Sequence, residues 1–417
     1  MNRNLKNQTK TATLLLAAAL LVSCAHVRTD KQVQFQPLSD GKTLQGFKQL
    51  GGKAIYKVED GAIIGITVPN TPNSFLCTEK TYGDFILELE LKVHPNLNSG
   101  IQIRSHSFKD YEKGRVHGYQ VEIDPSHRAW SGGIYDEARR GWLADLKDNA
   151  PARKAFKLDA WNHYRIEAVG DSIKTWVNDI SAADLVDSMT LTGFIAFQVH
   201  STKSNEPLTV RWRNIRIKDL GRHIWKPLFD GKSLNGWHIL PGGDWQVRDG
   251  IIVATSSKDE PRHSLLVTDQ RFGDFTARLK FKAIKGNSGF YFRSDEVQSD
   301  VAVHGFQAEI DQSADIGGLY ETGGRAWVVK PTPDQVKKFF KPQQWNQMTV
   351  SAHGRRIVVH VNGYKTAELK DDPGRLEGHL ALQLHGSKDM HVLFKDIEIL
   401  VPDTQPKVST KTRHTRP

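Results

Sequence analysis

The sequence predicts an all-β fold built as two tandem jelly-roll β-sandwiches. Short runs of alternating apolar and polar residues, broken by Gly, Asn, Asp or Pro, recur along the chain. This pattern is typical of antiparallel sandwiches. The clearest runs cover residues 86–93, 164–177 and 211–217. Few segments have a helical period, and the best of them, 334–340, indicates one short helix or turn.

Two sandwiches are expected because the chain repeats itself once, over a distance that suits a duplicated domain rather than a solenoid. We therefore predict a first copy at 35–220 and a second copy at 224–401. The matching segments are 35–47 with 225–237, 58–61 with 247–250, 82–85 with 272–275, 98–104 with 287–293, 117–124 with 304–311, 132–135 with 317–320, 161–162 with 345–346, and 198–200 with 383–385.

The N-terminal end has the features of an export signal. Three basic residues precede an apolar run at 12–22, which is too short to span a bilayer. The following Leu21-Val22-Ser23-Cys24 is similar to a bacterial lipoprotein lipobox. We expect 1–24 to be a signal ending at a lipidated Cys24, with 25–34 as a tether. The protein would then be lipid-anchored to the cell envelope, at the outer membrane or in the periplasm; a plain cleaved signal is the alternative.

Composition excludes several classes of protein. The net charge is +10, but the basic residues are scattered except in a polar tail at 402–417, so we expect no nucleic-acid partner and a disordered tail. Cys77 is the one other cysteine and is expected to be a buried thiol. The sequence has no Gly-x-Ser-x-Gly elbow, His-Glu-x-x-His motif, Walker loop or Rossmann fingerprint.

One repeated strand places polar side chains together. In residues 117–124, Tyr119, Val121 and Ile123 alternate with Gln120, Glu122 and Asp124, so the two sets face opposite sides. Residues 304–311 repeat the pattern with Gln307, Glu309 and Asp311. We interpret the polar side as the floor of a cleft, and an ordinary solvated sheet face is the alternative.

Neighbouring motifs add candidates to this face. Gln102 and Arg104 are expected to share a face, as are Tyr291 and Arg293. An Arg fork suits an anion or sugar oxygens, although an Arg that pairs structurally with Glu122 or Glu309 fits equally. Candidate substrate-binding residues are His117, Gln120, Tyr135, Trp142 and Gln198 in the first copy, and His304, Gln307, Tyr320, Trp327 and Gln383 in the second.

These motifs together resemble the 3-keto-disaccharide hydrolase domain family. The resemblance rests on 38–47, 82–85, 98–104, 118–124 and 198–200 and on their second-copy equivalents, and it covers nearly the whole chain after the signal. It implies a concanavalin A-like sandwich that cleaves the glycosidic bond of 3-keto sugars, with an oligosaccharide or glycoside as substrate. Lyase and hydratase variants are compatible with it.

The implied chemistry begins at C2, where the ketone at C3 acidifies the proton. A base, a positive group near the enolate and an acid for the leaving group are then required. We assign the base or metal-ligand role to Glu122 and Glu309. The enolate-side charge falls to Arg104 and Arg293, and proton transfer or metal binding to His200 and His385. Asp124 and Asp311 would orient these groups or join a divalent cation such as calcium.

Two other classes of function remain open. A retaining laminarinase-like glycosidase would begin its motif with Glu122-Ile123-Asp124, but Ser126 and Ser313 stand where its second catalytic Glu is expected. A non-catalytic glycan-binding module is the other class. The loops after Tyr135 and Tyr320 differ, which indicates different sugars or aglycones for the two copies.

Overall fold

The computed structural model describes residues 33–312 and 314–404. The predicted signal with Cys24, most of the tether and nearly all of the basic tail lie outside the described residues, and so does Ser313. No helix in the described part of the chain has the length and apolar character needed to cross a membrane.

Each copy is built from fifteen strands and one short helix in the same order. In the first copy these are β1 (Gln36–Pro37), β2 (Phe47–Gly51), β3 (Ile55–Glu59), β4 (Ala62–Ile66), β5 (Ser74–Thr78), β6 (Asp84–Val93), β7 (Ser99–His106), β8 (His117–Ile123), β9 (Ile134–Glu137), β10 (Gly141–Ala144), α1 (Ala150–Arg153), β11 (Asn162–Val169), β12 (Ser172–Val177), β13 (Ile180–Val186), β14 (Phe194–Val199) and β15 (Thr209–Gly221).

The second copy repeats the series directly after the first. Its elements are β16 (His223–Pro227), β17 (Trp237–Leu240), β18 (Asp244–Arg248), β19 (Ile251–Ser256), β20 (Ser264–Phe272), β21 (Phe275–Lys285), β22 (Ser288–Glu296), β23 (Val303–Ile310), β24 (Leu319–Thr322), β25 (Ala326–Val329), α2 (Pro333–Phe339), β26 (Asn346–His353), β27 (Arg356–Val361), β28 (Tyr364–Leu369), β29 (Gly378–Leu384) and β30 (Met390–Pro402).

Each copy forms two antiparallel sheets with the same strand order. The first copy has one sheet in the order β13-β12-β11-β6-β15-β4-β3, with β1 also paired to β15, and a second sheet in the order β10-β9-β8-β7-β14-β5-β2. The second copy has β28-β27-β26-β21-β30-β19-β18, with β16 paired to β30, and β25-β24-β23-β22-β29-β20-β17. The predicted all-β class of two tandem jelly-roll sandwiches is confirmed.

The hydrophobic core of each copy lies between its two sheets. Tyr119, Val121 and Ile123 of β8 are buried in the first core, and Phe306 and Ile310 of β23 are buried in the second. The predicted alternation of these strands is therefore confirmed, and their polar residues face away from the core. The short helix predicted at 334–340 is also present as α2.

A β-bulge overturns the predicted orientation of Arg104. The register of β7 shifts after Ile103, and Arg104 itself has φ of +46°. Because the bulge breaks the two-residue alternation, Arg104 does not share a face with Gln102, and that prediction is wrong. Its side chain is 0% exposed at one end of the sandwich, where it donates to Gly83 O (2.8 Å), Gly170 O (2.7 Å) and Asp84 Oδ1 (3.1 Å).

Arg293 is turned in the same way by the equivalent bulge in β22. Its φ is +47°, and its guanidinium donates to the Gly354 carbonyl at 2.8 Å and the Arg375 carbonyl at 3.2 Å. The predicted shared face of Tyr291 and Arg293 is therefore also wrong. Both guanidiniums are therefore held by backbone carbonyls inside the fold.

The two copies contact each other through polar side chains. Asp171 of the first copy is buried and accepts from Thr276 Oγ1 at 2.7 Å and Ser351 Oγ at 2.5 Å. Arg356 of the second copy binds the Asp184 carboxylate at 2.7 Å. In these contacts, hydroxyl and guanidinium groups of the second copy donate hydrogen bonds to carboxylates of the first.

Candidate functional site

Most of the predicted site residues lie in rows across the outward face of one sheet. In the first copy, strand pairing aligns Gln102, Gln120, Tyr135 and Trp142 on neighbouring strands. In the second copy it aligns Tyr291, Gln307, Tyr320 and Trp327. Since laterally paired residues project to the same side of a sheet, each set forms one continuous surface.

An adjacent row carries the central carboxylate. Gln198, Gly100 and Glu122 are aligned across β14, β7 and β8. Gly100 is required there because the Gln120 side chain crosses over it, and a Cβ at residue 100 would lie 2.3 Å from Gln120 Cδ. The second copy shows the same crossing of Gln307 over Gly289. The glycine lets the amide reach the carboxylate.

Glu122 is buried and held by amide donors. Asn98 Nδ2 donates to Glu122 Oε1 at 2.7 Å, and Gln120 Nε2 donates to Oε2 at 3.0 Å. Burial raises the pKa of Glu122, and the two amide hydrogen bonds oppose that rise. Gln102 extends the chain of donors by donating to Gln120 Oε1 at 2.7 Å. The carboxylate is thus fixed in place and made more basic than an exposed one.

Arg128 is a site residue that the sequence analysis missed. It donates to Glu122 Oε1 at 3.1 Å and to Asp124 Oδ2 at 2.7 Å, and its guanidinium also lies over the rings of Trp130 and Trp142. Arg128 and Trp130 come from the loop between Asp124 and Gly132. That loop has no residue-by-residue match in the second copy, and this mismatch was the one signal available in the sequence.

Asp124 lies beside Glu122 but has a structural role. Burial disfavours its charge, but hydrogen bonds from Ser126 and Arg128 outweigh burial and lower the pKa of Asp124. Its carboxylate also accepts from the Trp130 backbone at 3.2 Å. With its oxygens occupied by these donors, Asp124 does not fit the predicted cation site. The described residues contain no group of three or more His, Cys, Asp or Glu placed to hold a metal ion.

Glu309 repeats the geometry of Glu122 in a more acidic setting. Asn287 donates to Glu309 Oε1, and Gln307 Nε2 donates to Oε2 at 2.8 Å. Burial raises the pKa of Glu309 to about 8, with further increases from the charges of Asp311 and Asp315 and opposition from Asn287. No arginine like Arg128 bonds to Glu309 among the described side chains.

The second copy also brings two histidines to its site. His263 Nδ1 lies 2.8 Å from Gln383 Nε2, and the His263 ring lies 4.4 Å from that of His385. Burial and the neighbouring His385 lower the pKa of His263 to about 4. In the first copy His200 is partly exposed, with Nδ1 2.9 Å from its neighbour's carbonyl, Ser201 O. His263 was not predicted, because Asn73 stands at the matching position.

Gln198 differs from its second-copy equivalent in its hydrogen bonding. It is 0% exposed, and neither Nε2 nor Oε1 has a hydrogen-bond partner among the described residues. Gln383, by contrast, bonds to His263 and accepts from Gln307 at 3.4 Å. A buried amide without partners costs free energy, so the position of Gln198 on the site face calls for an explanation beyond packing.

His117 and His304 lie at the start of the central strands, away from the carboxylates. His117 is buried, with its ring 4.0 Å from that of Tyr111 and its Nδ1 2.9 Å from Arg115 O. His304 packs against Gly323. Cys77 is fully buried on the site face, and burial raises the pKa of its thiol to about 12. The expectation of a buried thiol is confirmed.

The fold and the site define a class: a duplicated concanavalin A-like β-sandwich protein with a buried carboxylate on one sheet of each copy. The family model of the 3-keto-alpha-glucoside-1,2-lyase-like domain matches residues 34–218 and 224–400. The chain belongs to this family and carries two copies of its domain, as the sequence resemblance predicted. Its role is carbohydrate-active.

Several solved structures are similar to part of the chain. A candidate glycosyl hydrolase from Parabacteroides distasonis is 22% identical with a TM-score of 0.32, covering 42% of this chain and 92% of its own. The carbohydrate-binding module CBM66 from Bacillus subtilis is 20% identical with a TM-score of 0.31, covering 39% and 93%. The VIP36 exoplasmic/lumenal domain, in a Ca²⁺/Man-bound form, is 11% identical with a TM-score of 0.33, covering 45% and 91%. No curated protein matches the chain.

Proposed function

We propose that the protein cleaves the glycosidic bond of 3-keto glycosides, with Glu122 and Glu309 as the bases. The observation that carries the proposal is the repeated arrangement of one buried carboxylate held by an Asn and a Gln in both copies. Burial raises the pKa of both carboxylates, which suits removal of a weakly acidic proton from carbon.

The proposed reaction has two stages. The carboxylate takes the proton from C2, and the electron pair of that bond forms an enolate on the C3 oxygen. The C3 ketone re-forms while the electron pair of the enolate makes a C1–C2 double bond and the C1–oxygen bond breaks, and the leaving alkoxide takes a proton. Water then adds at C1 while C2 is reprotonated, so that the net result is hydrolysis; departure of the product before this step would make the outcome a lyase reaction.

The groups that we assign to stabilise the enolate differ from those expected from the sequence. Arg104 and Arg293 are buried on backbone carbonyls, so they are not available to the substrate. Arg128 is the cation beside Glu122, and Lys388 is the cation whose charge acts on Glu309. A positive group next to the base stabilises charge that develops on the ketone oxygen. We assign this role to Arg128 in the first copy and make no such assignment in the second, where no cation contacts Glu309 among the described residues.

Glycan binding without turnover is the second candidate function. The ion pair between Arg128 and Glu122 favours it for the first copy, because a carboxylate held by a guanidinium is a weaker base.

We further propose that either role is exercised at the cell envelope, with the lipidated Cys24 as anchor.

The test compares release of nitrophenol from a 4-nitrophenyl 3-keto-α-glucoside and from its unoxidised parent. Wild-type protein should release it from the keto compound alone. Replacing both bases, Glu122→Gln with Glu309→Gln, should lower the rate by about 10²- to 10⁴-fold, the usual contribution of a positioned base. Each single variant apportions the activity between the copies.

The exposed Glu206→Gln variant is the control for loss of a negative charge. Unchanged turnover in the double variant would refute the proposed bases. Cleavage of the parent at the same rate as the keto compound would favour a laminarinase-like glycosidase. Binding of both sugars without release would establish the glycan-binding alternative.

A further inference from the structure

An open surface cavity of about 440 Å³ in the first copy is linked to Glu122 through Arg128. It is lined by Ser126, His127, Arg128, Trp130, Lys147 and Arg153. Arg128 is shared between the two, since it lines the cavity and donates to Glu122 at 3.1 Å. We call this cavity the basic pocket. A group bound there would be next to a sugar ring placed at Glu122.

The permanently charged side chains that line the basic pocket are all cationic. Three of its lining residues are permanently cationic and none is acidic. Arg128 is engaged by Glu122 and Asp124, but Lys147 and Arg153 form no ion pair within the described part of the chain. Unpaired cations that converge on one cavity favour an anionic ligand.

The first copy builds this pocket from elements that differ in the second. Residues 125–131 separate Asp124 from Gly132, whereas only 312–316 separate Asp311 from Gly317. The longer loop supplies Arg128 and Trp130, and Trp130 packs edge-on against Trp142 with ring centroids 4.7 Å apart. The shorter loop supplies Asp315, which pairs with Lys330 at 3.1 Å. The second copy thus has a carboxylate in the loop where the first has a guanidinium.

We infer that the first copy selects glycosides bearing an anionic substituent, a carboxylate or a sulfate ester, which binds in the basic pocket. Trp130 and Trp142 supply aromatic surface for the sugar next to it. The inference rests on the proposed function for the identity of the site as a sugar site. It adds that the two copies take substrates of different charge, with neutral glycosides left to the second.

The test measures binding without turnover, by isothermal titration of the full chain. The probes are 4-nitrophenyl α-D-glucuronide, 4-nitrophenyl α-D-glucoside 6-sulfate and the neutral 4-nitrophenyl α-D-glucoside. At least one anionic probe should bind about tenfold more tightly than the neutral one, and the preference should weaken as salt rises. Tighter binding of the glucuronide would indicate recognition of a carboxylate, and tighter binding of the 6-sulfate would indicate recognition of a sulfate ester.

Paired charge-removal variants locate the binding. Lys147→Gln with Arg153→Gln should remove the preference, whereas Lys337→Gln with Lys338→Gln, on the equivalent helix α2, removes the same charge and should leave it intact. Equal affinity for charged and neutral probes, or equal loss in both variants, would overturn the inference. The binding probes carry no keto group, so a failed elimination assay would not affect the measured preference for anionic probes. Tighter binding of the neutral probe would overturn this inference without affecting the proposed elimination.

Discussion

The two copies hold the same carboxylate in opposite electrostatic surroundings. Glu122 is bonded to Arg128, whereas no arginine bonds to Glu309 among the residues that the structure describes, and the charges of Asp311 and Asp315 raise the pKa of Glu309. The backbone, the bridging Gln and the supporting Asn are the same in both. The comparison teaches that the sandwich fixes the position of the base, and that one loop after the central strand sets its charge state.

The buried arginines give the largest expected difference between the copies. Arg104 binds Asp84, whose side chain is 5% exposed and also contacts His223 at 2.6 Å, whereas Arg293 binds Asp274, whose side chain is 63% exposed. Arg104→Met should lower the free energy of unfolding by about 3–5 kcal/mol, because Asp84 stays buried without its cation.

The matched variant Arg293→Met should cost less, about 1–3 kcal/mol, since Asp274 is solvated and mainly carbonyl acceptors lose a donor. Urea unfolding followed by tryptophan fluorescence measures both. Equal losses would show that the exposure of the carboxylate partner does not matter. A loss of turnover without a loss of stability in Arg104→Met would return this residue to the catalytic role expected from sequence.

The loop charges give the next effect, on the pH dependence of each copy. A base acts only when ionised, so activity of the second copy should rise with pH up to about 8, the pKa of Glu309. The first copy, measured with Glu309→Gln, should rise at lower pH because Arg128 favours ionised Glu122. Adding Arg128→Gln removes that charge and should move its profile up by about 1–3 pH units.

The reciprocal change is Asp315→Asn, measured with Glu122→Gln. Loss of a nearby negative charge lowers the pKa of Glu309, so the second copy should become active at lower pH, by under about one unit for a charge that is not in direct contact. Identical pH profiles for the two copies, or a profile that Arg128→Gln leaves in place, would contradict the account of the loops.

Alternation and duplication predicted the fold well, because both can be recognised directly in the sequence. The inward set of Tyr119, Val121 and Ile123 and the outward set of Gln120 and Glu122 follow directly from the two-residue period of a strand. The residue-by-residue correspondence of the two copies followed from their matching motifs. Neither inference depends on knowing which strands are neighbours.

The errors arise where a single backbone irregularity or a distant contact decides the outcome. Arg104 was assigned to the wrong side because a bulge after Ile103 cannot be read from alternation. Arg128 was missed because its meeting with Glu122 depends on the path of a loop. The cation site was expected from residue types, but the geometry gives Asp124 protein donors in place of a metal.

The most direct test of the proposed chemistry is the fate of the C2 hydrogen when the 3-keto glucoside is cleaved in D₂O. Proton abstraction followed by hydration predicts one deuteron at C2 of the released sugar, seen by NMR, at a level well above incubations without protein or with the doubly substituted Glu122→Gln, Glu309→Gln chain. Release of the aglycone with a saturated 3-keto sugar whose C2 deuterium stays at that background level would show that the bond breaks without proton exchange at C2, and would contradict the account.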